Sequence, residues 1–499
     1  MIALLIISSF LLPVAIGVLI GLLLLPPQNY RLSPTLRFLL GGGMGLGITS
    51  LAGFLLLPLA GSRYFLLRES AFLSLALGLG WLAYRKGAFT GALVNPENGG
   101  RKRAGVLFYL VLGITAISAA FSFALTTFAE PHGKWDAFLI WNTHARFLFR
   151  SGADWMDYFR SGLDWTHPDY PLLLPLTVER AWEYCGGETL VAPAVIAAFF
   201  TFSAAGLVAS ALGTLRSFER GCLGATLLLA SPLFILIGAS QLADVPLAYY
   251  ILGAVTLLFL HDRQPAPHGA ALAMAGLFAG LAAWTKNEGI LFCALFLLVR
   301  PVVSLLSAGP RKGIKELLLL VAGASPALVV LLIFKVAVAP ESDLIAGQSP
   351  GGILDKLGDA GRYGTILLSY LRTGLTFTQG IPDVRASFHL NPAVPGIVLL
   401  TAYLVLAGRE SDPGDRDGII TGWALVFFTL AGYFLVLVVT PYDLNWHLLT
   451  SLNRLLLQLW PVAIFLVFMS ARTPGPAPSG APDGKRKKAG VKGKRTERK

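Results

Sequence analysis

The sequence predicts an all-α polytopic membrane protein with about thirteen transmembrane helices, and three observations carry that reading. Hydrophobic residues make up 55% of the 499 residues and charged residues only 14%, against roughly 25% charged in soluble globular proteins. Mean hydropathy is +0.66, and apolar runs of about 17–25 residues recur along the chain, the length at which a helix crosses a bilayer with its own backbone hydrogen bonds satisfied. Lysine and arginine concentrate in alternate gaps between those runs, as cytoplasmic loops require. A soluble enzyme, a secreted disulfide module and a fibrous protein are excluded. Cys185, Cys222 and Cys293 are an odd number without metal-ligand spacing, so neither a disulfide framework nor a zinc site is implied.

Taken in order, the first run, 2–25, has no basic segment before it and no small-residue cleavage signal after it, so it reads as an uncleaved helix. Runs 36–60 and 64–84 complete three spans within residues 1–104. A core over 105–306 follows, with runs 105–127, 190–212, 221–239, 245–260, 269–284 and 289–306 and a long loop at 128–189. Residues 307–471 add runs 317–339, 393–407, 419–440 and 455–470 and a second loop at 340–392. The tail, 472–499, holds ten basic and two acidic residues of a chain whose net charge is +12, and reads as disordered and in contact with anionic lipid. The rest is only mildly basic, which argues against a nucleic-acid partner. With the tail cytoplasmic, alternation puts Arg85, Lys86, Arg101, Lys102, Arg103, Arg216, Arg220, Arg311, Lys312 and Lys315 on the same side, and the N-terminus and both large loops outside.

Unusual polar residues gather in those outer segments. The first loop opens Glu130-Pro131-His132-Gly133-Lys134-Trp135-Asp136, then residues 137–150 read as an amphipathic interfacial helix with Asn142, Arg146 and Arg150 on one stripe. His167 and Asp169 follow, and 172–184, too short and charged to span, reads as re-entrant or interfacial. Asp136 is either a helix N-cap or a general base beside the membrane surface. Asp244, in the turn Ser240-Gln241-Leu242-Ala243-Asp244-Val245-Pro246, is either a turn cap or a second carboxylate that joins Asp136 in holding an acceptor or a divalent metal ion. In Thr285-Lys286-Asn287-Glu288-Gly289 a cation and an anion sit between two apolar runs, either as an internal pair or with Lys286 neutralising a phosphate. Asp443, His447, Ser451 and Arg454 form one stripe, either solvated or aimed at an anionic head group. Arg362, Arg372, Arg385 and His389 in the second loop are weaker candidates, and no Walker, HExxH, GxSxG or dinucleotide motif occurs.

This order of features resembles the GT-C superfamily of integral membrane glycosyltransferases, which includes protein O-mannosyltransferases and aminoarabinose transferases. Lys134-Trp135-Asp136 matches the catalytic aspartate near the start of the long first outer loop, Gln241-Leu242-Ala243-Asp244 the second acidic motif two spans later, and Thr285-Lys286-Asn287-Glu288-Gly289 the lysine-bearing turn. The likeness covers residues 105–306, with the first three spans as an addition, and neither aspartate has the adjacent acid of a family-type metal site. The resemblance implies an inverting transferase in a bacterial inner membrane, moving a monosaccharide from a polyprenyl-phosphate donor to a lipid, glycan or protein acceptor on the periplasmic face. Asp136 would be the base, Asp244 would orient the acceptor or a divalent ion, and Lys286, Arg454 and His447 would meet the donor phosphate. Lys134, Trp135, Arg146, His167, Asp169, Glu288 and Asp443 would stand around the same cavity. Two other readings stay open: a transporter or flippase using Lys286, Glu288 and Arg454 as a pathway, and a surface-polysaccharide polymerase or ligase working through the arginines of the second loop.

Overall fold

The computed structural model describes residues 1–59, 64–92, 105–263, 269–342, 344, 346–376, 396–409 and 412–472. Arg385, His389, the Arg101, Lys102 and Arg103 run and the basic tail beyond residue 472 lie outside them. Within them the chain is helical, with one isolated bridge between Arg409 and Ala471 and no strand. The helices are α1 (Ile2–Leu24), α2 (Pro34–Leu56), α3 (Tyr64–Arg85), α4 (Val106–Ala129), α5 (Asn142–Ser151), α6 (Leu173–Cys185), α7 (Val191–Leu215), α8 (Phe218–Leu229) and α9 (Pro232–Ala239). They continue as α10 (Asp244–Asp262), α11 (Ala270–Thr285), α12 (Asn287–Ala308), α13 (Pro310–Ala337), α14 (Pro350–Gly358), α15 (Ala360–Thr376), α16 (Gly396–Ala407), α17 (Arg416–Val439) and α18 (Leu444–Ser470).

Ten of these are long and apolar enough to cross a membrane, eleven with the bent pair α8–α9, so the chain is a multi-pass helical membrane protein. The expected thirteen differ from this in four places. Run 221–239 is broken by 67° between α8 and α9, where Pro232, lacking an N–H, begins the second piece. Run 269–284 forms the shorter helix α11, and the described part of run 393–407, from Gly396, forms the shorter helix α16. The last run extends back to Leu444, because Asp443 caps α18 by accepting from the Trp446 N–H at 2.8 Å.

At the centre stands α10, buried from Asp244 to Leu260 and packed against α7, α11 and α18. Helix α2 packs into this core. The Tyr249 and Tyr250 hydroxyls donate to its Leu39 and Gly43 carbonyls, and Trp284 Nε1 donates to Ser50 Oγ at 3.0 Å. Helices α1 and α2 cross where Gly41 and Gly45, four apart on one face, let the backbones touch. A Cβ on Gly45 would stand 1.7 Å from the Pro13 carbonyl oxygen. We therefore expect Gly45→Val to force the helices apart and cost roughly 1–3 kcal/mol or more, read as a lower apparent Tm in detergent; an unchanged Tm would show that the crossing is not tight.

The segment expected to be re-entrant or interfacial forms α6, too short for a span and buried against α1, α2, α5 and α7. Its charges are met by α3: Arg68 donates to Glu179 at 2.9 Å and also to Glu183, while Arg180 donates to Glu69 at 2.8 and 2.5 Å. Burial, then the neighbouring Glu179, pushes the Glu183 carboxyl from 4.5 up to about 8, against the pull of Arg68. A carboxyl whose pKa is raised by folding stabilises the fold below its unfolded value and loses that contribution as pH rises through the folded one. The contribution of Glu183 should accordingly fall between pH 4.5 and about 8, so the difference in Tm between wild type and Glu183→Gln should shift against the wild type across that range; a difference independent of pH would refute the assignment.

Part of the second loop is also packed down. Arg362 of α15 donates to the Val438 carbonyl at 2.9 Å and Tyr370 to the Leu430 carbonyl at 3.3 Å, so α15 lies along α17, with Arg372 exposed. At the other end of the bundle Arg300, fully buried, is held by Asp262 at 2.5 Å and Glu316 at 2.7 Å, tying α12 to α10 and α13.

Candidate active site

After α4 the chain turns back through Gly133 (φ +72°), whose N–H donates to the Glu130 carbonyl at 2.9 Å. A Cβ there would meet the Ser240 carbonyl oxygen at 2.8 Å, so glycine is what lets this loop approach the turn before α10. The Lys134 N–H then donates to that same carbonyl at 3.2 Å. Gln241 completes the junction from a left-handed backbone (φ +60°): its Oε1 accepts from Asn142 Nδ2 at 3.0 Å and its Nε2 donates to the Pro131 carbonyl at 3.2 Å. Asn142, expected on the exposed stripe of an interfacial helix, is thus buried in this seam, and that helix opens with a π-turn, Ala137–Trp141. The stitching fixes Asp136 and Asp244 relative to each other.

Neither aspartate caps a helix with its side chain. Asp244 is wholly buried and accepts three times: Oδ1 from Lys286 Nζ at 3.0 Å and Gln458 Nε2 at 2.6 Å, Oδ2 from Arg454 Nε at 3.0 Å. Arg454 Nη1 reaches Asp136 Oδ2 at 2.7 Å, so one guanidinium bridges the two carboxylates. Asp136 is 25% exposed and Arg454 19%, placing this pair at the mouth and Asp244 at the floor. Lys286 Nζ also meets Glu288 Oε1 at 2.7 Å, while Glu288 Oε2 is buried with no hydrogen-bond partner. Burial opposes the charge on Lys286, but Asp244 and Glu288 outweigh it and raise its proton affinity above that of an ordinary lysine. The hairpin that presents it is tight: a Cβ on Gly289 would stand 1.9 Å from the Ala282 carbonyl oxygen.

Tyr433 and Gln458 are the members that the sequence reading missed. The Tyr433 hydroxyl donates to Gln458 Oε1 at 2.6 Å, which turns the Gln458 amide NH₂ toward Asp244. The signal was the i, i+4 spacing of Arg454 and Gln458, which puts both on one face of α18.

A second cluster adjoins through Asn287. Its Nδ2 donates to Asp169 Oδ2 at 2.8 Å, and Lys335 Nζ reaches Asn287 Oδ1 at 2.9 Å and Asp169 Oδ2 at 3.4 Å. His167, in a left-handed backbone (φ +49°), stacks on Tyr170 with ring centres 5.0 Å apart. Other candidates point elsewhere. Arg146 pairs with Glu188 at 3.4 Å and lies over the Phe138 ring, Trp135 is 77% exposed, and His447 Nδ1 is 2.7 Å from Thr440 Oγ1. Of the α18 stripe, Arg454 is the residue that reaches the site: Ser451 Oγ donates to the His447 carbonyl at 2.6 Å, and Asp443 caps the helix.

The arrangement does not fit a divalent metal. The space between Asp136 and Asp244 is bridged by a guanidinium, and no group of three or more His, Cys, Asp or Glu side chains able to hold a metal ion occurs among the described residues. What the group can do is present one accessible carboxylate beside one accessible guanidinium, both backed by a buried charged network. No family model, no curated protein and no solved structure matches this chain.

Proposed function

We propose that this protein is an integral membrane glycosyltransferase of the GT-C kind, transferring a monosaccharide from a polyprenyl-phosphate donor to an acceptor at the outer face of a bacterial cytoplasmic membrane. The observation that carries the reading is the pairing of Asp136, exposed at the mouth, with Arg454, anchored on buried Asp244. A transferase of this class needs a carboxylate to take the proton of the attacking group and a cation to stabilise the departing phosphate. In the reaction the acceptor oxygen or nitrogen attacks the anomeric carbon and its proton passes to Asp136. The bond from that carbon to the phosphate oxygen breaks with its electron pair going to the phosphate, and configuration inverts. Arg454 meets the phosphate directly. Lys286, committed to Asp244 and Glu288, acts as a fixed positive charge behind it, and Asp244 holds both cations in place instead of touching the acceptor.

The test is to incubate purified wild type and Asp136→Asn with membrane lipid extract from the source cells and follow polyprenyl-phosphosugars by mass spectrometry. Loss of sugar from the carrier with wild type alone is the expected result. Carriers equally unchanged in both, with no isoprenoid phosphate copurifying, would overturn it and favour a transporter built on the same charges.

A further inference from the structure

The two anchors of Arg454 are unequal. Asp244 is fully buried and holds Arg454 together with Lys286 and Gln458, so that contact does not open without uncovering a buried carboxylate. Asp136 is partly exposed, and Arg454 is its one charged partner among the described residues. A partly exposed pair is weakly held, whereas a guanidinium meets a phosphate through two parallel charge-assisted hydrogen bonds. Lys286 cannot compete for that phosphate, because Asp244 and Glu288 already face it at 3.0 and 2.7 Å.

The charge count points the same way. Asp136, Asp244 and Glu288 face Lys286 and Arg454, three carboxylates against two cations. An arriving phosphate adds to the negative excess. Of the three carboxylates, Asp136 is the most exposed, at 25% against 20% for Glu288 and none for Asp244, and the one paired with Arg454 alone, and a proton placed there relieves that excess. In its paired state Asp136 serves Arg454, since protonating it removes the charge that the guanidinium is bound to. Once the phosphate holds the guanidinium, that hindrance is gone and the acceptor's proton has a place to go.

We infer that Arg454 exchanges partners, leaving Asp136 for the phosphate of an isoprenyl-phosphate donor, so that donor binding releases the base and must precede productive binding of the acceptor. This rests on the transferase reading for the role of Asp136, but the exchange itself is measurable without any transfer. After transfer the phosphate departs, Asp136 returns its proton to water, and the ion pair with Arg454 re-forms.

The full-length protein in detergent is treated with a water-soluble carbodiimide and glycine ethyl ester, with and without farnesyl phosphate. Labelling of Asp136 is read by peptide mass spectrometry against exposed Asp154 as reference, and retention of the probe is measured on the same samples. The expected result is a several-fold rise in Asp136 labelling with the probe, up to roughly sixfold, the limit for releasing a pair worth about 1 kcal/mol. Arg454→Gln should label fast without the probe and not respond to it. Retained probe with unchanged or slower labelling, or no retention, overturns the exchange; an equal response to the same concentration of inorganic phosphate overturns its assignment to a lipid-borne phosphate. The wild-type comparison decides even where the variant does not fold. A labelling response without sugar transfer keeps the exchange and removes the transferase reading, and transfer that needs Asp136 without a labelling response does the reverse.

Discussion

Asp244→Ala is expected to cost the protein roughly 3–5 kcal/mol, the loss that follows when one partner of a buried ion pair is removed and the others are left uncompensated. Lys286 and Arg454 would then share one cavity with like charges and no floor carboxylate, and Gln458 would lose its acceptor. Apparent Tm in detergent should fall by several degrees or more, and the variant should accumulate poorly. Removing a cation as well, in Asp244→Ala with Lys286→Met, should recover part of the loss, since neighbouring charges couple. A single variant with wild-type Tm would show that the network does not hold α10, α12 and α18 together.

The opposite pattern is expected at Asp136. Asparagine has nearly the same shape, the site is open to solvent, and a partly exposed ion pair contributes at most about 1 kcal/mol. Stability should therefore hardly change. Turnover should fall about 10²–10⁴-fold, the contribution of a positioned general base, which corresponds to roughly 3–5.5 kcal/mol of barrier. Donor affinity should stay the same or increase, because Arg454 is no longer held. The measurement is release of sugar from the carrier under single-turnover conditions, alongside thermal unfolding of the same preparation; wild-type turnover in Asp136→Asn would rule out a base at this position. Two aspartates joined by one arginine would thus separate, stability following Asp244 and turnover following Asp136.

Much of this group could be read from the sequence, and the reason is the membrane itself. Asp136, Asp244, Lys286, Glu288 and Arg454 stand out because a charge beside a long apolar run is costly unless it pairs or meets water. Their actual partners were not readable, since pairing depends on helix rotation and depth, which apolar periodicity fixes poorly when most faces are apolar. Tyr433 and Lys335 sit inside runs that read as plain spans, and Gln458 inside the last of them, though each is drawn to a polar neighbour on another helix. The burial of the α6 charges was not readable, because their partners Arg68 and Glu69 lie more than a hundred residues earlier. The break at Pro232 was masked by unbroken hydrophobicity on both sides of it.

The bridge between Asp136 and Asp244 also sets an order of assembly. Chain synthesis delivers Asp136 and Asp244 first, then Lys286 on the α11–α12 hairpin, and Arg454 only on the last helix, 210 residues after Asp244. Until α18 enters the membrane, Asp244 has one cation to meet, and Asp136 has no guanidinium. The contacts of α10 in the shorter chain therefore rest on the Asp244–Lys286 pair, and α18 adds the second cation against α10. A chain that stops short of residue 444 lacks both Arg454 and Gln458, and so leaves Asp244 with Lys286 as its remaining side-chain partner and Asp136 without its ion pair.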